Sequence, residues 1–230
     1  MKKVSIIIPV FNEKDTILLL LNKVIEANFA GLEKEIILVD DCSTDGTTKI
    51  LENIKSEYNV LFHEKNQGKG AAIRTAIKEA SGDYIVIQDA DLEYLPDDYD
   101  KLLPLLINDE ADVVYGSRFK NKENSKNFIL KNKIANKFLT LLTNLLYGAE
   151  ITDMETCYKA FKSNFIKNIK INANRFDFEP EITAKILKQK ARLKEVPISY
   201  EGRGHEEGKK INWKDGIHAI LTLIKYRFFD

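Results

Sequence analysis

Residues 4–13 read Val4-Ser5-Ile6-Ile7-Ile8-Pro9-Val10-Phe11-Asn12-Glu13. The Ile- and Val-rich run Val4–Val10 has no polar alternation, which predicts a strand covered on both faces. It ends in the polar pair Asn12-Glu13. The run is short, contains Pro9 and meets no small-residue cleavage site, so it reads as a first strand and not as a secretory leader. Downstream, Asp15 to Asn28 predicts a helix with Ile17, Leu20, Leu21, Val24 and Ile25 on one face. Glu35–Asp40 is a second strand. Ser43-Thr44-Asp45-Gly46-Thr47 supplies turn and capping residues before a helix to about Glu57. Asn59–His63 is a third strand, and Gly68-Lys69-Gly70 opens a helix to about Ala80. Tyr84–Gln88 is a fourth strand and Asp112–Tyr115 a fifth, with a helix begun at Pro96 between them. Strands alternating with helices predict an α/β fold: a mostly parallel central sheet with helices on both faces.

The second half changes character. Asn127 to Tyr147 predicts a long helix, Thr152–Phe161 an irregular polar stretch before a short strand, and Glu179–Gln189 another helix. Arg192–Tyr200 reads as a strand interrupted by Pro197, Glu201–Lys210 as a charged loop, and Trp213–Phe229 as a final amphipathic helix. This half is expected to extend the same domain, so residues 1–230 form one unit.

Composition narrows the classes. The 230 residues carry 35 Lys+Arg and 35 Asp+Glu. A neutral chain has no global field for nucleic acid, and no nucleic-acid partner is expected. Two cysteines, Cys42 and Cys157, lie far apart and make no disulfide framework, which suits a reducing compartment. No apolar run is long enough to span a bilayer. A cytoplasmic protein is expected, and the last helix is a candidate for peripheral contact with the cytoplasmic face of the membrane. Charge is segregated locally. Asp89–Asp112 holds nine acids and one base, and Arg118–Lys137 holds seven bases and one acid. These are either two solvated faces or an acidic metal site beside a basic anion-binding segment.

In open parallel sheets, ligands bind beyond the carboxyl ends of the strands. Three acidic clusters fall there: Asn12-Glu13, Asp40-Asp41 and Asp89-Ala90-Asp91-Leu92-Glu93. Carboxylates gathered without a cation raise one another's pKa and destabilise the fold. A hard divalent ion, Mg2+ or Mn2+, removes that conflict, which makes Asp89, Asp91 and Glu93 the candidate ligands. Asp89 and Asp91 are two residues apart and would share a face of an extended backbone. The competing reading is solvated turns and helix caps, with Asp40, Asp41, Ser43 and Asp45 merely shaping a turn. Gly68-Lys69-Gly70 is either a phosphate cradle or a plain helix start, and it matches neither standard Gly-rich motif. His63, His205 and His218 have no metal-ligand spacing.

Taken in order, Val4–Glu13, Val39–Thr47, Asn66–Gly70, Asp89–Glu93, Gly116-Ser117-Arg118, Thr152–Lys159 and Phe178–Glu181 resemble the family-two glycosyltransferases with a GT-A fold. The likeness is greatest to the branch of dolichyl-phosphate mannose synthases and bacterial polyprenyl-phosphate glycosyltransferases. The resemblance implies that Pro9, Phe11 and Glu13 line the nucleotide site, and that Val39 and Asp41 contact base and ribose. It puts Asp89, Ala90 and Asp91 along the diphosphate, with Asp91 and Glu93 on the metal. It places Arg118 near the phosphates, and Arg203 and Lys209 as a basic pair closing over the donor. It implies a nucleotide-sugar-binding half, 1–118, and an acceptor-side half, 119–230. One departure is that Lys131 and Lys133 stand where the mannose synthases carry a second arginine, supplying charge without the bidentate fork.

The implied reaction is inverting transfer from GDP-mannose or a UDP-hexose. A polyprenyl phosphate acceptor would be positioned by Arg118 and the following lysines. A saccharide hydroxyl would need a base, for which Asp153 is the candidate, so that Asp91, Arg118 and Asp153 form the expected catalytic set. Two other classes fit less well: a sugar-phosphate nucleotidyltransferase, which would need a Gly-rich loop at Phe11–Asp15, and a non-catalytic nucleotide-sugar-binding protein.

Overall fold

The computed structural model describes residues 1–121, 124, 130–202 and 213–229. A seven-stranded sheet runs through the molecule: β1 (Lys3–Val10), β2 (Glu33–Asp40), β3 (Asn59–Phe62), β4 (Tyr84–Ile87), β5 (Val113–Ser117), β6 (Lys159–Lys162) and β7 (Leu193–Pro197). Its order is β3-β2-β1-β4-β6-β5-β7. All neighbours are parallel except β6, which is antiparallel to both β4 and β5.

Side chains alternate across this sheet, and each side is covered. Val4, Ile6, Ile8 and Val10 of β1 join Ile36 and Leu38 of β2 in one core, while Ile7, Ile37 and Val39 belong to another. The first core is covered by α1 (Ile17–Glu26), α2 (Thr47–Ile54) and α4 (Tyr99–Ile107). The second lies under α3 (Lys69–Glu79), α6 (Ser163–Lys167) and α7 (Phe178–Lys188). An unalternating Ile/Val run needs this double cover, since each buried aliphatic side chain contributes about 1.5–3 kcal/mol only when removed from water. On α1 the buried stripe is Ile17, Leu20, Leu21 and Val24, and Ile25 turns outward. Two further helices, α5 (Leu130–Tyr147) and α8 (Trp213–Phe228), make a smaller cluster through Leu139, Met154, Ala219 and Leu223.

The acidic run Asp89–Asp112 does not form one face. Asp109 and Asp112 pair with Arg192 and Lys162 just before β5 begins, at the opposite edge of the sheet from Asp89. Hydrogen bonds from Arg192 and Lys162 hold the Asp112 carboxyl well below the usual range. Those acids belong to a surface ion-pair cluster and not to a metal site.

Candidate active site

The carboxyl ends of β2, β1 and β4 lie side by side, so their acidic tails meet at one edge. The tails have separate tasks. After β1, Asn12 takes a left-handed backbone (φ 53°) and is tied to the next crossover: its N–H donates to Ser43 Oγ (2.9 Å) and its Oδ1 accepts from Thr44 N–H (2.8 Å). Buried Glu13 accepts from Thr16 Oγ1 (2.7 Å) and its N–H donates to Thr47 Oγ1 (2.9 Å). Asp40 shapes the turn, accepting from Ser43 N–H and Oγ and from Thr48 Oγ1.

Asp41 is buried and closes an internal cradle. It accepts from Gln67 N–H (2.9 Å) and Gly68 N–H (2.7 Å), and its Oδ1 meets His63 Nδ1 at 2.7 Å. The phosphate-cradle reading of Gly68-Lys69-Gly70 is therefore corrected: an internal carboxylate occupies the Gly68 donor. Gly68 is needed there. Its φ is 100°, and a Cβ would stand 2.4 Å from the Asn174 carbonyl oxygen. Val39 is fully buried in the second core and sits in register between Pro9 of β1 and Leu61 of β3. Phe11 is half-buried beyond the strand, and Ala90 packs in the first core.

Beyond β4 the chain turns at once. Asp89–Glu93 is a turn with Leu92 left-handed (φ 62°), which corrects the expectation of two aspartates on an extended face. Asp91 Oδ1 accepts from Glu93 N–H (3.1 Å), and Glu93 Oε2 accepts from the Tyr200 hydroxyl (3.1 Å). Burial, with the Glu93 charge adding to it, raises the Tyr200 phenol. Asp89 meets Lys69, whose Nζ donates to Oδ2 (2.9 Å) and lies 2.8 Å from Oδ1. Glu179 Oε1 is 3.2 Å from the same ammonium. Burial opposes the charge on Lys69, and Asp89 overcomes it, so its pKa stands well above the ordinary lysine value. Asp89 Oδ1 is buried, with the Lys69 ammonium beside it.

Among the described residues no three acid, histidine or cysteine side chains converge tightly enough to hold a metal by themselves. The donor set still fits a hard cation, with carboxylate oxygens from Asp89, Asp91 and Glu93 in one turn. Mg2+ and Mn2+ are commonly held by one or two such groups plus substrate phosphates.

On the far side, Arg118 follows β5 and is buried against Asp153. Its Nε donates to Oδ2 (2.8 Å), its Nη2 to Oδ1 (2.7 Å), and its backbone N–H to Oδ2 (3.0 Å). The guanidinium lies 5.3 Å from the Tyr200 ring centroid. Burial works against its charge, and Asp153 more than restores it, holding the Arg118 pKa well above its usual value. Both oxygens of fully buried Asp153 are committed to this fork, so the general-base role is corrected to an anchoring one. Arg203 and Lys209 lie outside the described residues.

The profile of the family described as Glycosyl transferase family 2 matches residues 5–170. The chain belongs to this family. A Methanococcus voltae protein named UDP-N-acetylglucosamine–dolichyl-phosphate N-acetylglucosaminyltransferase is 33% identical, over 97% of this chain and 95% of its own length. A Pyrococcus furiosus dolichol-phosphate mannosyltransferase is 29% identical over 97% of this chain, which spans 64% of that protein. The solved glucosyl-3-phosphoglycerate synthase of Mycobacterium tuberculosis, in complex with Mn2+, UDP and phosphoglyceric acid, superposes with a TM-score of 0.76 at 19% identity. It covers all of this chain and 80% of that one, and shows a shared fold.

Several residues of this cluster carry no role that the sequence alone assigns. Lys69 stands only within the Gly68-Lys69-Gly70 segment, a helix start or phosphate cradle, and the Asn66–Gly70 likeness, with no role of its own. Glu179 sits in the first turn of α7 and reaches across the site to Lys69. Glu155 has a buried Oε1 without a hydrogen-bond partner, and burial, reinforced by Glu179, pushes its carboxyl up to about 7. Burial pulls the Lys159 ammonium down; its Nζ donates to the carbonyls of Met154 and Thr156. The only signal in sequence was the pair of motifs Thr152–Lys159 and Phe178–Glu181.

Proposed function

We propose that this chain transfers a sugar from a nucleotide-diphosphate sugar to a polyprenyl phosphate, with inversion at the anomeric carbon. The observation that carries the acceptor class is the locked Arg118–Asp153 pair. A buried, prepaid guanidinium beside the donor turn suits an anionic nucleophile, and its carboxylate partner is too occupied to take a proton from a hydroxyl. A phosphate acceptor is already ionised and needs no base. Its oxygen forms the new bond to the anomeric carbon from the face opposite the departing nucleoside diphosphate, which leaves with the bonding electron pair.

Residues 1–118 hold the donor in this reading: Pro9, Phe11, Glu13, Val39 and Asp41 at the nucleoside, Asp89 and Ala90 along the diphosphate. Asp91 and Glu93, with Asp89, would hold Mg2+ or Mn2+, which supplies charge neutralisation at the leaving diphosphate. Residues 119–230 form the acceptor side, with Arg203 and Lys209 closing over the donor. The name of the Methanococcus voltae relative favours a UDP-sugar donor, and that of the Pyrococcus furiosus relative favours transfer of mannose.

The site works at a membrane surface in this reading. Leu130, Ile134, Phe138, Leu141 and Leu145 fall at helical spacing on α5 and are all exposed, as are Ile217, Leu221, Ile224 and Phe228 on α8. Each helix thus shows an apolar stripe outward as well as one inward. Lys131 and Lys137 on α5, and Lys225 and Arg227 on α8, are exposed alongside, which complements anionic headgroups. No described helix is long and apolar enough to cross a bilayer.

A second reading, transfer to a saccharide hydroxyl, draws on Glu155, whose carboxyl near 7 suits a proton acceptor. Incubating the chain and Mn2+ with labelled UDP-N-acetylglucosamine, UDP-glucose or GDP-mannose, and with either dolichyl phosphate or free saccharides, separates them. The proposal expects label in the lipid-phosphate fraction. Label only in saccharide supports the second reading, and nucleotide-sugar binding without transfer to either supports a binding protein.

A further inference from the structure

Lys69 opens α3, and its backbone has little freedom. Gly68 before it is held by Asp41 and pressed against the Asn174 carbonyl. The ammonium is thereby aimed between two carboxylates from distant parts of the chain, Asp89 after β4 and Glu179 on α7. All three side chains are almost closed to solvent, at 12%, 13% and 5% exposure for Lys69, Asp89 and Glu179. Both Asp89 oxygens lie within 2.9 Å of this ammonium, so the carboxylate is fully engaged by Lys69.

We propose that Lys69 is a built-in counter-ion that withholds Asp89 from a divalent metal until a nucleoside diphosphate arrives, so that metal capture is conditional on the donor. This rests on the reading of Asp89–Glu93 as the metal and diphosphate turn. One lysine neutralises one of two carboxylates, leaving a single net negative charge at this point. A divalent ion entering alone would face the ammonium at short range in a poorly screened place, where like charges repel strongly. A diphosphate reverses the balance. Its oxygens supply negative charge for both cations, so the ammonium can turn to the phosphates and release Asp89 to the metal. Metal and nucleotide then bind cooperatively, and by linkage each strengthens the other equally. Lys69 acts through Asp89 and is a positioning residue.

The test counts free Mn2+ by electron paramagnetic resonance over the whole chain, alone and with UDP or GDP. Wild type is expected to bind Mn2+ at least about tenfold more tightly with the nucleotide, a coupling of about 1.4 kcal/mol. Lys69→Met, with thermal melting confirming the fold, is expected to bind Mn2+ without nucleotide, and Lys69→Arg to restore the dependence. Glu179→Gln leaves the ammonium on Asp89 and is expected to keep it. Equal wild-type affinity with and without nucleotide overturns the proposal whether or not Lys69→Met folds, and so does a folded Lys69→Met with no gain. If wild type binds Mn2+ under neither condition, the metal reading falls and takes this proposal with it.

Discussion

The donor turn and the acceptor-side arginine are both buried and charged, yet they are finished to different degrees. At Arg118 both Asp153 oxygens are taken by hydrogen bonds, and the guanidinium lies over the Tyr200 ring. At Asp89 both oxygens face one lysine ammonium, which is the whole of the counter-charge. A place built to receive an anion can complete its cation in advance. A place built to receive a cation has to hold its acceptors on a partner that can leave, and a primary ammonium is easier to rearrange than a bidentate fork.

The contrast can be broken first on its rigid side. Asp153→Ala leaves a buried guanidinium without its partner and is expected to cost about 3–5 kcal/mol of stability, the range for breaking a buried pair. Thermal or urea unfolding reads this directly, and a near wild-type midpoint would mean that the fork contributes little. A smaller effect is expected at Glu155, between the two regions. Its folded carboxyl titrates near 7 against an ordinary 4.5. The neutral form is favoured in the fold, so this stability is present below about pH 4.5 and is lost as pH rises through 7. Glu155→Gln is expected to flatten that decline between pH 5 and 8, measured as urea midpoints across pH. The smallest change in stability is expected at the outward stripes. Leu145→Gln with Leu221→Gln should shift unfolding by no more than about 0.5 kcal/mol each, as for ordinary surface changes. Co-sedimentation with phosphatidylserine-containing vesicles should nevertheless fall, and unchanged sedimentation would remove the membrane surface from the account.

Much of the scaffold was legible because its signals are local. The Val4–Val10 run and the strand–helix alternation lead to the parallel part of the sheet, and Pro96 marks a helix start. A short strand near Phe161 was legible, but not its antiparallel place in the sheet as β6. Four residues, Lys159–Lys162, insert between β4 and β5, and buried Lys159 hides the apolar pattern. The site divides in the same way. Acids at strand ends are visible from chain order alone. That Asp41 is spent on Gly68 and Asp89 on Lys69 is a matter of tertiary pairing, which spacing does not carry. The fork of Arg118 and Asp153 is equally hidden, because 35 positions separate two residues that the fold brings into contact.

The central claim is that the Asp89–Glu93 turn captures a nucleoside diphosphate through a divalent cation. Calorimetric titration of UDP and GDP into the chain, with and without Mn2+ and in parallel with Asp91→Ala, tests it most directly. The account predicts nucleotide binding that depends on Mn2+ in wild type and is lost in a variant that still melts like wild type. Metal-independent binding, or full affinity in Asp91→Ala, would contradict it.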